Sequence, residues 1–128
     1  MSRKINFIIL SLLIWGCRPK EDVGLAQYFI SNQSDYTIAV KCTYIQSVEV
    51  TCDSCTIGNH SENKLGQDAN FGHAPHPNET IKTIKIYKND TLKISLNTPY
   101  ADSVFKNEKG SGEYDWNYKF TIENSDLQ

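Results

Sequence analysis

The chain has 128 residues, with 13 Lys and Arg against 15 Asp and Glu and a formal net charge of −2 at pH 7. The basic residues are scattered, with no run or stripe, which argues against nucleic acid as a partner. The same balance gives no electrostatic help towards an acidic membrane surface.

Arg3 and Lys4 precede an apolar run over residues 5–15, interrupted only by Asn6 and Ser11. That run is shorter than the about 20 residues a membrane-spanning helix needs, and its length and flanks match a secretory signal peptide. At its end, Ile14-Trp15-Gly16-Cys17 resembles the bacterial lipobox: a branched apolar residue, a variable one, a small one, then Cys. The resemblance implies diacylglycerol on the Cys17 thiol, loss of residues 1–16, and a domain tethered by lipid to the bacterial outer membrane. Acyl chains contribute about 0.8 kcal/mol per buried CH₂, and more than one chain is needed for stable anchoring. Residues 17–27 then form the lipidated Cys and its linker, and residues 28–128 the folded domain. Lys20-Glu21-Asp22 resembles the export signal of surface lipoproteins in the Bacteroidota; it also fits a plain solvated linker. The periplasmic and the cell-surface face both remain open.

Without residues 1–16 the chain has 112 residues, a net charge of −4, and enough length for one domain with a real core. With Cys17 taken by lipid, Cys42, Cys52 and Cys55 remain, an odd number in an oxidising compartment. One disulfide and one free or buried thiol are expected.

Tyr28-Phe29-Ile30 reads as the first strand and residues 31–35 as a turn, because Ser, Asn and Asp side chains bond their own backbone. Tyr36, Ile38, Val40, Cys42 and Tyr44 then alternate with Thr37, Ala39, Lys41 and Thr43 at the period of a strand. The same parity resumes at Val48, Val50 and Cys52, which predicts a hairpin with Cys42 and Cys52 both pointing inward. Residues 53–80 contain Gly58, Gly66, Gly72, Pro75, Pro77 and all three histidines, with little periodicity. They are expected to form an irregular connection, with a helical turn at 61–65 or a short strand near Thr56-Ile57, and to present the main contact surface. Ile84, Ile86, Leu92, Ile94 and Leu96 predict a second hairpin, whose three-residue loop at 88–90 pairs Ile86 with Leu92 and Ile84 with Ile94. Residues 97–112 read as a polar connection, and Tyr114, Trp116, Tyr118, Phe120 and Ile122 form one face of a closing strand.

Regular alternation without a long helix predicts an all-β, antiparallel β-sandwich of six to eight strands, with an immunoglobulin-like arrangement as one form it could take. The lipobox, the charged linker, the opening Tyr28-Phe29-Ile30-Ser31-Asn32-Gln33-Ser34 and the closing strand are together similar to small lipoproteins of the Bacteroidota.

Cys52-Asp53-Ser54-Cys55 is followed after 17 residues by His73-Ala74-Pro75-His76. Cys52, Cys55, His73 and His76 could supply four tetrahedral zinc ligands, although the histidine spacing is short and thiols oxidise outside the cytoplasm. A redox pair would need a helix start after Cys55, and Thr56-Ile57-Gly58-Asn59 is a poor one. A structural disulfide is favoured, either Cys42–Cys52 across a hairpin or Cys52–Cys55 around a turn. The three histidines read as exposed loop residues. Trp116 and its neighbouring tyrosines read as core, not as a sugar-stacking platform. There is no G-x-S-x-G, H-E-x-x-H or Gly-rich phosphate loop, so neither a catalytic set nor a cofactor is expected. Asp53-Ser54-Cys55, Asp90-Thr91-Leu92 and Asp102-Ser103-Val104 resemble the Bacteroidota O-glycosylation pattern, which implies Ser54, Thr91 and Ser103 as acceptors; they also fit turn composition. The expected role is that of a lipid-anchored envelope protein whose β domain is a structural or protein-interaction module. The alternative is a ligand-, glycan- or metal-binding module using residues 52–76.

Overall fold

The computed structural model of the chain describes residues 23–45, 49–109 and 115–128. The leader, Cys17, Lys20-Glu21-Asp22, Val48 and Tyr114 lie outside the described residues. Two sheets face one another. One holds β1 (Val23–Asn32), β3 (Glu49–Val50), β5 (Ser61–Phe71), β8 (Lys106–Lys109) and β9 (Asp115–Ile122) in the order β3-β5-β1-β9-β8. The other holds β2 (Ile38–Tyr44), β4 (Ser54–Ile57), β6 (Ile81–Lys88) and β7 (Thr91–Asn97) in the order β4-β2-β6-β7. Among the described residues helix is confined to single turns, α1 (Pro77–Thr80), α2 (Ala101–Val104) and a 3₁₀ turn at Asn124–Leu127.

This is the expected all-β sandwich. Its inner faces come from the period-2 runs: Ala26, Tyr28 and Ile30 of β1 and Tyr118, Phe120 and Ile122 of β9 meet Ile38, Val40 and Cys42 of β2 and Ile84 and Ile86 of β6. Among the described residues it has nine strands against the six to eight expected, with α2 and β8 inside the connection expected over 97–112. Four further features differ from the sequence reading. First, β1 begins at Val23, so residues 23–27 are strand and not linker; alternate burial of Gly24, Ala26, Tyr28 and Ile30 gives them a core face. Second, β1 is central and pairs parallel with β9 (Tyr28 opposite Tyr118), so the sheets are not purely antiparallel. An immunoglobulin domain of the ABED–CFG type keeps its first strand at an edge, and this strand order is different.

Third, residues 36–52 do not form a hairpin. β2 pairs with β4 and β6, whereas β3 crosses to the other sheet and pairs with β5. Parity cannot be carried through a connection of unknown length, and Val50, expected inside, is exposed. Tyr36, also expected inside, is exposed and carries the Lys88 ammonium 3.7 Å above its ring. Fourth, the hairpin of β6 and β7 turns on two residues, Asn89 and Asp90, at φ 50° and 62°. Positive φ at both positions is the geometry that follows strand twist. A bulge between Ile86 and Tyr87 then resets the register, so Ile86 faces Ile94, Ile84 faces Leu96, and Leu92 is left exposed.

The stretch expected to be irregular is largely strand. β4 contains the predicted Thr56-Ile57, and the eleven residues of β5 replace the helical turn expected at 61–65. Residues 73–74 lie directly on β1: a Cβ on Gly24 would come within 2.1 Å of the Ala74 nitrogen. Only glycine permits that approach.

Asn32 closes the far end of β1 and is fully buried. Its Nδ2 donates to the carbonyls of Tyr36 (2.7 Å), Gly58 (3.0 Å) and Ile57 (3.2 Å). Its Oδ1 accepts from the Ser34 N–H (3.1 Å) and hydroxyl (2.6 Å). The side chain thus satisfies the turn after β1 and the end of β4 together. Asn32→Ala, which leaves these groups without partners, should destabilise the domain by about 2–3 kcal/mol in urea unfolding. Asn32→Asp, which turns a carboxylate oxygen on the three carbonyls, should do no better.

Candidate functional site

Residues 52–76 are divided by the fold between two places. Cys52 and Cys55 form a disulfide with a Cα–Cα distance of 5.7 Å, at the entry to β4. Cys42 is free and buried within β2; its N–H donates to the Asp53 carbonyl at 2.8 Å. Of the two pairings left open by the sequence, Cys52–Cys55 is therefore the one formed, and the Cys42–Cys52 link is not. The missing hairpin is the reason. Each of the two sulfurs is bonded to the other and not available as a thiolate. Among the described residues no three His, Cys, Asp or Glu side chains gather as a metal set, so Cys52, Cys55, His73 and His76 are not brought together.

His73 and His76 belong to the connection between β5 and β6, which folds over the start of β1. Pro77 opens α1 with a preset φ, and the Glu79 carboxylate accepts the His76 N–H at 2.7 Å, closing the turn. This puts His73 Nε2 3.4 Å from the Glu79 carboxylate and His76 Nδ1 3.5 Å from the Tyr118 hydroxyl. His73 and Glu79 are both about half exposed, a setting in which an ion pair is worth roughly 0–1 kcal/mol. His60 lies apart, at the opposite end, 3.1 Å from Asp35. Asn124 also holds Asp35, and this amide hydrogen bond, with His60 second, keeps the Asp35 carboxyl below its usual range.

Beneath the histidine connection, Tyr28 donates to the Pro75 carbonyl at 2.7 Å and lies 2.9 Å from the Thr80 hydroxyl, which donates to Asp68. Asn78 and Asp102 exchange reciprocal bonds of 2.8 and 2.9 Å that lock α1 to α2. A cleft of about 340 Å³ opens beside them, lined by Asp68, Asn70, Asn78, Glu79, Ile45 and Pro75. Its polar side chains are the ones that hold the connection in place: Asp68 accepts from Thr80, Asn70 from the Phe71 N–H, and Glu79 from His76. The cleft reads as structural.

The larger hollow was not foreseen. It lies on the outer face of the four-stranded sheet, has a volume of about 490 Å³, and is lined by Lys41, Thr43, Asp53, Thr83, Lys85 and Tyr87, among others. In sequence these residues are the ordinary solvent-side half of an alternating pattern. The available signal was weak: Lys41 and Lys85 fall on the solvent parity of two strands that only the fold makes neighbours. The three proposed O-glycan acceptors, Ser54, Thr91 and Ser103, are all exposed; the Ser103 hydroxyl donates to the Tyr100 carbonyl at 2.6 Å. Tyr118 is buried and Trp116 is partly buried against the core, as expected.

No protein-family model, curated protein or solved structure matches the chain.

Burial sets the titration of the interior. It raises the Cys42 thiol to about 11, against the opposing hydrogen bond of Tyr44. It also raises the Tyr28 and Tyr44 phenols above their ordinary value. The Tyr44 hydroxyl points at the carbonyls of Cys52 (2.8 Å) and Leu65 (3.0 Å). A group whose pKa is raised on folding contributes stability below its unfolded value and loses it as pH climbs towards the folded one. The domain should therefore weaken above about pH 9, where unfolded Cys42 (ordinary value 9.0) ionises first and the tyrosines follow; urea midpoints between pH 8 and 11 should fall steadily. Cys42→Ala should delay the onset of that fall. The disulfide spans a sequence separation of only 3, and a loop that small constrains the unfolded chain little. Cys52→Ser/Cys55→Ser should cost about 2 kcal/mol or less in the same assay and leave the far-ultraviolet spectrum unchanged.

Proposed function

We propose that the chain is a lipid-anchored envelope protein whose β-sandwich acts by contact, as a structural or protein-interaction module, and not by catalysis. The observation that carries this reading is Ile14-Trp15-Gly16-Cys17 behind an apolar leader, with β1 starting at Val23. Five residues separate Cys17 from that strand, and the six Cα–Cα steps from Cys17 to Val23 reach no more than about 22 Å when fully extended. Lipid on Cys17 would hold the start of β1 close to the bilayer. Val23 sits there opposite Phe71, and both are exposed, Phe71 at 69%. An exposed apolar pair at the tethered end suits a surface that meets lipid headgroups or another envelope protein.

The reading of a contact module draws further support from the histidine connection, whose polar groups serve the fold. The contact surface expected over residues 53–80 narrows to Phe71 and the turn that follows it, since most of that stretch lies in β4 and β5. Cys17→Ala should move the protein from the membrane fraction to the soluble fraction on cell lysis. In the wild type, the mature N-terminal peptide should carry a diacylglycerol-modified Cys17. An unmodified Cys17 in that peptide by mass spectrometry would sink the anchor, and protease shaving of intact cells would decide which face the domain occupies.

A further inference from the structure

The two sheets differ sharply in charge. Strands β2, β4, β6 and β7 contain Lys41, Lys82, Lys85, Lys88 and Lys93 and no Asp or Glu. The other sheet carries acids on four of its five strands, Glu49, Glu62, Asp68, Glu108 and Asp115, mixed with lysines. A chain with more acid than base has thus collected only positive charge on the strands of one sheet.

The placement is unfavourable for stability. Lys41 and Lys85 are direct cross-strand partners, and like charges in that position repel. None of the five lysines makes an ion pair with a described carboxylate; the lysine salt bridges among the described residues all belong to Lys119. Lys41 instead lies 5.3 Å from the centre of the Tyr87 ring, a contact that leaves its charge unneutralised. Both lysines line the hollow of about 490 Å³. The Ser54 hydroxyl, the mutually hydrogen-bonded hydroxyls of Thr43 and Thr83 and the Asp53 carboxylate line it too, and offer both donors and acceptors.

We propose that this groove binds an acidic oligosaccharide, with Lys41 and Lys85 pairing to its carboxylate or sulfate oxygens and Tyr87 packing against a sugar face. The hydroxyl and carboxylate lining matches a ligand rich in hydroxyl groups. The cations are all lysines, and the described domain has no arginine to read base edges, which favours a sugar chain over nucleic acid. The inference goes beyond the anchored-module reading and does not depend on it, since it rests on the charge and shape of one sheet face.

The test is titration of the purified full chain with a heparin-derived hexasaccharide, maltohexaose as neutral control and a single-stranded oligodeoxynucleotide, followed by calorimetry and amide chemical shifts. The acidic hexasaccharide should bind, should shift residues 41–43, 53–54 and 83–87, and should weaken as salt is raised. Lys41→Ala/Lys85→Ala should lower that affinity about tenfold or more while leaving the melting temperature unchanged or higher, because the repulsion between the two is removed. Lys106→Ala, on the opposite sheet, should change the affinity less than about twofold. No binding, equal binding by maltohexaose, tighter binding by the oligonucleotide, or an affinity indifferent to the double substitution would each overturn the proposal. Fractionation of Cys17→Ala reads the anchor separately, so either idea can fail alone.

Discussion

A phenol in the middle of the sandwich has to find partners, and the end of the molecule is built around where it finds them. Tyr28 is fully buried at the centre of β1, and a buried hydroxyl left without a hydrogen bond costs several kcal/mol. Its ring stacks on Tyr118 with centroids 5.6 Å apart and meets Phe105 edge-on at 6.1 Å. Its oxygen therefore points at the connection between β5 and β6, where the Pro75 carbonyl and Thr80 receive it. From Thr80 the chain of bonds passes to Asp68 on β5. One side chain so ties the central strand, the closing strand and the lid over the sandwich end. The glycine at position 24 is what lets that lid lie flat on β1. The single-turn helix α1 and the two histidines that precede it follow from the same requirement.

The lateral face is under the opposite regime. Nothing in the interior demands lysine at positions 41, 85 and 93, which alternate with the buried Val40, Cys42, Ile84 and Ile86 and the partly buried Ile94. The inner half of each strand is chosen by the core, and the outer half is free to be chosen by something else. On the five-stranded sheet that freedom yields mixed charge and a Lys119 bridged to Glu62 and Glu108. On the four-stranded sheet it yields cations alone. The direct pairing of Lys41 with Lys85 is repulsive, so such an asymmetry gains nothing in stability.

The core strands were legible because burial on one side imposes a period of 2, and the runs in β2, β6 and β9 carry it plainly. β5 was not legible, because it needs little apolar surface: Leu65 is its one buried large side chain, and its place is fixed by the ten-residue ladder with β1. Backbone pairing leaves no mark on composition. Parity also misled where the chain changed sheets after Tyr44, since alternation says which side a residue faces but not of which sheet. The Asn89-Asp90 turn shows the complementary limit: the tight turn and the bulge each alter register, and only the pair together brings Ile94 and Leu96 opposite Ile86 and Ile84. The candidate groove was hidden for a related reason. Its two lysines are 44 positions apart and become neighbours only through the pairing of β2 with β6.

The third thiol has a consequence for how the domain survives oxidation. A domain whose described residues hold one disulfide and one free cysteine is exposed to scrambling, in which the free thiolate attacks the bond and a wrong pairing results. Here the spare thiol is Cys42, sealed in the core, with its ionisation moved from 9.0 to about 11. That shift lowers its thiolate fraction at neutral pH by about a hundredfold, and burial removes the approach path besides. The native state thereby protects its own connectivity once formed. The vulnerable interval is the one before β2 is covered by the opposite sheet, so the order in which core and disulfide form decides which isomer the cell obtains.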